Sequence, residues 1–308
     1  MNYTIYRLEF NNGVRFGHGN LDSSDFTFHA DTLFSALYQE ALKVGKEKIF
    51  LNLIEQDKLV FSDSFPYMKK QYFIPKPLLK IQKKDALEKG NSREKKLLKN
   101  MKYIPIEFLE EYKNGNLPVT QMDILKDLGR SGMKVSVGIR GNDDPEPYRV
   151  SAFYFGDDNG LYIILGFQEK ESKAIFEMLL ESLSYTGIGG KKSSGLGRFE
   201  CKESTIPIEL ESGLQKTGRI QLLLSTALPV YDELEDVLNS ANYSILKRSG
   251  FIDSDNYAEQ HMRKAERYVF APGSCFYRRF KGTVKEERNR GAHPIFRYEK
   301  ALFLGVDI

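Results

Sequence analysis

Residues 187–199 read Gly187-Ile188-Gly189-Gly190-Lys191-Lys192-Ser193-Ser194-Gly195-Leu196-Gly197-Arg198-Phe199. Two Gly-apolar-Gly triplets, Gly187-Ile188-Gly189 and Gly195-Leu196-Gly197, enclose a stretch of glycine, lysine and serine. Glycine reaches backbone conformations closed to other residues and leaves no Cβ between the chain and a ligand. The amides, hydroxyls and ammonium groups of such a loop, with Arg198 behind it, suit a polyanion. It is not a P-loop, because no Gly-Lys-Ser/Thr triplet follows a glycine at the required spacing. Nor is it a dinucleotide fingerprint, since it follows a helix-like stretch and opens a strand. The plainer alternative is a solvated Gly/Ser/Lys turn; the doubled glycine frame argues for a binding loop.

The flanks place this loop in a fold. Upstream, Ala174, Ile175, Met178, Leu179 and Leu183 recur at helical spacing over Glu169 to Leu183. Downstream, Gly197 to Lys202 reads as a strand. At the N-terminus, Tyr3, Ile5, Leu8 and Phe10 mark another strand, broken by Asn11-Asn12-Gly13. A loop from Gly13 to Asp25 carries Arg15 and His18. A helix follows from Thr27 or His29, with Leu33, Phe34, Leu37, Tyr38, Ala41 and Leu42 on one face, and ends before Gly45. Strand, loop and helix in that order fit the first half of a βαββαβ unit.

Leu59-Val60-Phe61 is a short strand, and Pro66, Pro75 and Pro77 hold the chain extended after it. Lys83 to Asn100 is lysine-rich and reads as an exposed, partly helical insertion, either a solvated face or a basic arm along RNA. Glu107 to Tyr112 looks helical. Met133 to Arg140 alternates apolar with polar residues as a strand does. Arg149 to Phe155 and Leu161 to Phe167 flank Gly156-Asp157-Asp158-Asn159-Gly160, a hairpin signal. Such a hairpin can serve as a thumb between nucleotides. Phe153-Tyr154-Phe155 lacks the Lys/Arg-Gly-aromatic pattern of a base-stacking sheet and reads as core or strand surface.

Thr205 to Gly218 reads as a linker. Beyond it, Arg219 to Leu224 is a strand, Asp232 to Leu238 a short helix, and Lys247-Arg248-Ser249-Gly250 a basic turn within Tyr243 to Phe251. Ala265 to Phe270 and Ser274 to Phe280 flank Pro272-Gly273 as a hairpin, and Ile295 to Val306 supplies a last strand or two. Arg278, Arg279, Lys281, Lys285, Arg288 and Arg290 form the densest basic cluster, a solvated end or an RNA-facing one. The class is α+β. Two ferredoxin-like (RRM-like, βαββαβ) modules are expected: 1–204, with inserted hairpin and helical segments around 63–130, and a degenerate one over 205–308.

The glycine loop resembles that of the RAMP superfamily, the RNA-binding subunits of CRISPR systems. Arg15-Phe16-Gly17-His18-Gly19 before His29-Ala30-Asp31-Thr32-Leu33-Phe34-Ser35-Ala36-Leu37 resembles the family's first loop and helix. Phe73-Ile74-Pro75-Lys76-Pro77-Leu78 resembles a Pro-Lys-Pro segment of one branch. Together with the chain length, these stretches resemble the type III-A (Csm) subunit that caps the 5′ handle of CRISPR RNA. The likeness spans the first two hundred residues and thins across the last hundred. It implies a subunit of an antiviral ribonucleoprotein with three partners: the crRNA 5′ handle, the large palm-domain subunit, and a neighbouring backbone RAMP subunit. On this reading RNA is held by Arg15, His18, Gly189, Gly190, Lys191, Lys192, Ser193, Ser194, Gly195, Arg198 and Arg248.

Composition bounds the alternatives. The 308 residues suffice for two domains. Lys plus Arg is 45 against 42 for Asp plus Glu, so a basic surface must come from clustering. Two cysteines, Cys201 and Cys275, make no disulfide scaffold and suit a reducing compartment. No long apolar run or targeting segment is read, so a cytoplasmic protein without membrane contact is expected. His18, His29, His261 and His293 have no metal-ligand spacing, and neither metal nor cofactor is expected. His29 is the one catalytic candidate: in related RAMP ribonucleases a histidine near this helix is the general base on a 2′-hydroxyl. A helix-end role beside Asp31 is the alternative. Two rivals to a non-catalytic RNA-binding subunit remain: a metal-independent endoribonuclease that matures crRNA with His29, and a purely structural adaptor.

Overall fold

The computed structural model describes residues 1–17, 21–79, 92–138, 146–252, 262–287 and 293–307. The chain runs β1 (Asn2–Glu9), α1 (Ala30–Lys43), α2 (Glu47–Glu55), β2 (Leu59–Phe61), β3 (Phe65–Met68), β4 (Gln71–Pro75), α3 (Ser92–Asn100), β5 (Tyr103–Pro105) and α4 (Leu109–Lys113). There follow β6 (Gly129–Gly138), β7 (Glu146–Phe155), β8 (Asn159–Phe167), α5 (Lys170–Thr186), β9 (Glu200–Ser204), α6 (Ile208–Gln215) and β10 (Ile220–Leu223). The last part holds α7 (Leu234–Leu238), β11 (Ile245–Phe251), β12 (Arg263–Phe270), β13 (Cys275–Phe276), β14 (Val284–Glu287), β15 (Ile295–Tyr298) and β16 (Phe303–Val306). This is a mixed α+β molecule.

The main sheet has the order β5-β4-β3-β8-β1-β9, and β2 pairs with β8 beyond β3. β8 is its centre, buried from Gly160 to Gly166. A strand covered on both faces sends alternate side chains into two cores. Leu161, Ile163 and Leu165 pack with Leu33, Phe34 and Leu37 of α1 and with Phe176, Leu179 and Leu183 of α5. Tyr162 and Ile164 pack with Leu210 and Leu214 of α6, Leu222 of β10 and Leu304 of β16. Each such aliphatic side chain contributes about 1.5–3 kcal/mol on burial.

β2 and β3 lie in line along one edge of β8, separated by Ser62-Asp63-Ser64. The Ser62 hydroxyl accepts from the Ile164 amide, standing in for the ladder there. That break lets Asp63 leave the sheet and turn to the start of α1.

Several local readings change. The Gly156–Gly160 turn does not close a hairpin between its flanks: β7 pairs with β6, while β8 pairs with β1, β2 and β3. Pro272-Gly273 likewise turns the chain without pairing its flanks, since β12 joins β11 and β13 joins β10. Lys247-Arg248-Ser249-Gly250 lies inside strand β11, with a register shift between Arg248 and Gly250, and is not a turn. The segment expected as a linker carries α6, whose Leu210 and Leu214 are buried. α2 had no reading from sequence. The insertion expected over Lys83 to Asn100 is helical from Ser92; its earlier part lies outside the described residues. Among the described residues no helix is long and apolar enough to cross a membrane.

Candidate nucleic-acid interface

α5 ends at Thr186, and Gly187 caps it with φ +84°, its amide donating to the Leu183 carbonyl. Ile188 then plugs the core and binds back across the loop: its amide donates to the Gly197 carbonyl, and the Gly197 amide donates to the Gly13 carbonyl at 2.9 Å. The two Gly-apolar-Gly triplets are thus pinned to each other and to the first loop. Close approach explains the glycine at 189. A Cβ there would stand 2.6 Å from the Arg15 carbonyl oxygen, in a backbone with φ +96°.

The outer part of the loop is a single tight turn. Lys191 takes a left-handed conformation, φ +62°, and Ser194 and Gly195 donate to the carbonyls of Lys191 and Lys192. Gly190 donates to the Arg15 carbonyl at 2.8 Å. This corrects one sequence expectation. The amides of Ile188, Gly190, Ser194, Gly195 and Gly197 are spent inside the protein, so they do not grip a ligand. What the turn presents outward is side chains: Ser193, Ser194 and Arg198 are exposed, and Lys191 and Lys192 are half-buried.

Three segments converge here. The first loop bridges to β7 through Val14 and Phe153, which exchange backbone hydrogen bonds of 2.8 and 2.9 Å. The Ser151 amide donates to the Leu21 carbonyl. The Lys191 ammonium donates to the Tyr148 hydroxyl of β7 at 3.3 Å and lies 4.9 Å from that ring's centre. Phe153 packs on Phe26 and Phe155 on Phe10, which makes them core-edge residues. The far side of the β6–β7 hairpin is unusual: Met133, Val135 and Val137 are 55%, 61% and 54% exposed.

Arg15 belongs to this cluster but lies under it, only 6% exposed, with its side chain folded back over Gly17 and beneath Gly190. His18 lies outside the described residues. Arg248 is engaged elsewhere. Its guanidinium makes a two-point pair with Asp31 of α1, both bonds 2.8 Å, and a third bond to the Thr32 hydroxyl. Burial pushes the Asp31 carboxyl up, but the Arg248 guanidinium outweighs it and holds the group below its ordinary value. Three members of the basic cluster in the C-terminal part are also internally paired: Arg278 with Asp236, Arg279 with Gln221, Lys281 with Asp57. Arg288 and Arg290 lie outside the described residues.

His29 sits at the N-terminal end of α1, and its Nδ1 is 2.5 Å from Asp63. The other oxygen of that buried carboxylate accepts from the amides of Ala30 at 2.9 Å and Thr226 at 2.7 Å. Asp63 therefore caps α1 from a distance and ties it to the chain after β10. Sequence reasoning passed over Asp63 and Tyr148. The polar Ser62-Asp63-Ser64 break inside an apolar strand was the one available signal for the former. Burial pushes the thiols of Cys201 and Cys275 up to about 12. Among the described residues no group of three or more His, Cys, Asp or Glu side chains is placed to hold a metal ion.

The chain is 36% identical over 317 residues to the CRISPR system Cms protein Csm4 of Streptococcus thermophilus, spanning 100% of both. The chain belongs to the Csm4 family. The Csm4 protein of Mycobacterium tuberculosis is 34% identical over 308 residues, 99% of this chain and 98% of the relative. A model of the CRISPR Csm4 C-terminal domain matches residues 216–306, within the last hundred residues where the motif resemblance thins. Among solved structures, a chain of the Csm3–Csm4 subcomplex in the type III-A CRISPR-Cas interference complex is similar. Its TM-score is 0.66 at 15% identity, over 98% of this chain and 99% of that one. A chain of the Csm1–Csm4 cassette in complex with AMPPNP gives 0.63 at 16%, over 99% and 98%. At those identities the likeness concerns the Csm4 fold alone.

Proposed function

We propose that this chain is a non-catalytic, RNA-binding subunit of a type III-A CRISPR interference complex, which grips the 5′ repeat-derived handle of crRNA. Membership of the Csm4 family supports the assembly. Csm3 and Csm1 are named in the similar structures, so the partners here are a backbone RAMP subunit and the large palm-domain subunit. The strand order β9-β1-β8-β3, with α1 and α5 as crossovers, supports our reading of a ferredoxin-like module over 1–204; because β3 belongs to that sheet, the inserted part begins after it, with β4. We read 205–308 as a degenerate second module, a reading supported by the separate β13-β10-β16 sheet.

One observation carries the reading: first loop, glycine loop and β6–β7 hairpin are laced together beneath one cationic and hydroxyl ridge. Lys191, Lys192 and Arg198 meet phosphates, and Ser193 and Ser194 meet phosphate or 2′-hydroxyl oxygens. Arg15 and Arg248 act as struts, Arg15 under the loop and Arg248 on α1. The exposed Met133, Val135 and Val137 make the hairpin an apolar thumb against unstacked bases. Specificity comes from splayed bases, not from duplex readout.

Replacing Lys191, Lys192 and Arg198 with Ala tests this. Each lost phosphate contact to a single strand flattens the slope of log K against log salt by about 0.7. An unchanged slope refutes the loop as the RNA site. The His29–Asp63 contact favours a second reading, in which an oriented imidazole cleaves RNA; its test is given below.

A further inference from the structure

The turn from α1 into α2 carries an apolar surface that the fold does not use. Ala41 and Phe50 point into the core and are fully buried. Between and beside them, Leu42, Val44 and Ile49 are 51%, 50% and 50% exposed. The helix face that α2 needs is already supplied by Phe50 and Ile54. Polar residues at 42, 44 and 49 would serve the monomer as well, so three aliphatic side chains in water need another account. Gly45, with φ +65° and open space where a Cβ would stand, keeps the centre of the corner low.

Charge says what covers it. Lys46 and Lys48 flank the apolar residues, and neither side-chain ammonium has an ion pair or hydrogen bond among the described residues. Lys43 is already tied to Glu40 at 2.6 Å and to the Thr186 hydroxyl at 3.2 Å. That second bond sets the corner beside the last residue of α5, where the glycine loop begins. An apolar centre edged by unpaired ammonium groups has the anatomy of a protein interface, an apolar core inside a charged rim.

We propose that this corner is a docking surface for a protein subunit that brings an apolar socket rimmed by carboxylates. The inference rests on the reading of the chain as a subunit of a larger assembly. It adds where one neighbour sits: against Leu42, Val44 and Ile49, next to the base of the RNA loop. Lys46 and Lys48 steer and register that neighbour.

The test uses the full chain co-purified with the other subunits of its effector complex. Two double variants are compared, Val44→Glu with Ile49→Glu and Lys46→Glu with Lys48→Glu. The first is expected to weaken capture of one subunit by at least about tenfold. The second should weaken it less and flatten its salt dependence. Both should leave the melting temperature and RNA affinity of the isolated chain unchanged. Undiminished capture of every subunit overturns the proposal. So does lost RNA affinity with all subunits retained, or a wild-type homodimer that the first variant dissolves. If the first variant fails to fold, the lysine pair decides alone. RNA binding by the Lys191, Lys192 and Arg198 variant is read separately, so failure of the RNA assignment stays distinct from failure of this one.

Discussion

The ammonium of Lys191 donates to the Tyr148 hydroxyl across 3.3 Å and stands 4.9 Å from the centre of its ring. One residue belongs to the loop after α5 and the other to β7, so the contact fixes how the hairpin leans on the loop. A partly exposed cation–π contact is worth about 0.5–1 kcal/mol. Tyr148→Ala should therefore lower the melting temperature only slightly. Handle-RNA affinity should fall several-fold, because the hairpin loses its register against the loop. Tyr148→Phe keeps the ring and loses one hydrogen bond, and should lie between the two. Equal RNA binding by all three proteins would show that the contact does not position the hairpin.

The glycines of the loop should separate into classes. Gly189→Ala places a Cβ against the Arg15 carbonyl and Gly197→Ala places one against the Ile188 carbonyl, both at positive φ. Each should cost about 2–3 kcal/mol in denaturant unfolding. Gly195 has positive φ but open space, and its alanine variant should cost about 1 kcal/mol. Gly190 has ordinary φ and no neighbour nearer than 3.6 Å, so Gly190→Ala should be neutral within about 0.5 kcal/mol. Equal costs at 189 and 190 would contradict the pinned geometry.

That geometry also marks where sequence reading stops. α1 and α5 were legible because one helical period ran through each, with a buried face; β1 and β10 were legible from apolar residues at strand spacing, although both strands bury residues on both faces. The glycine pattern was legible as a special backbone. What the loop does with its amides was not, since the acceptors are the carbonyls of Gly13 and Arg15, far away in the chain. The Gly156–Gly160 turn reports a chain reversal and says nothing of pairing. β8 is buried on both faces and needs neighbours from the core, while β7 is half exposed and takes β6. α6 escaped notice because only Leu210 and Leu214 mark its inner face and its partners come from β10 and β16. Arg248 looked like a free cation in a basic run; its carboxylate partner, Asp31, sits on a distant helix.

The Asp31–Arg248 pair gives a pH dependence. Asp31 has a folded value below its ordinary 3.8, with burial opposed and outweighed by Arg248. Its contribution is complete above 3.8 and is lost as pH falls through the lowered folded value. Asp31→Asn should cost about 2–3 kcal/mol near neutrality, since it leaves a largely buried guanidinium without its counter-charge. The stability difference between wild type and variant, from urea unfolding between pH 7 and roughly 3, should shrink on the acid side. A difference that stays constant with pH would place the cost in packing.

His29 and Asp63 look like the first two members of a catalytic array, a base and its orienter. The bonds of Asp63 argue for a joint instead. Its Oδ1 accepts from Ala30 and Thr226, and its Oδ2 faces His29, so the carboxylate is saturated by backbone that it holds together. Asp63→Ala strands the amides of Ala30 and Thr226 in the interior and should cost about 3–5 kcal/mol. His29→Ala leaves those two bonds intact and should cost far less, about 1 kcal/mol. Repeat RNA incubated with the purified protein in EDTA should keep its length, with wild type and His29→Ala alike. Fragments ending in a 2′,3′-cyclic phosphate that vanish in His29→Ala would reverse the assignment and make this joint a general-base site.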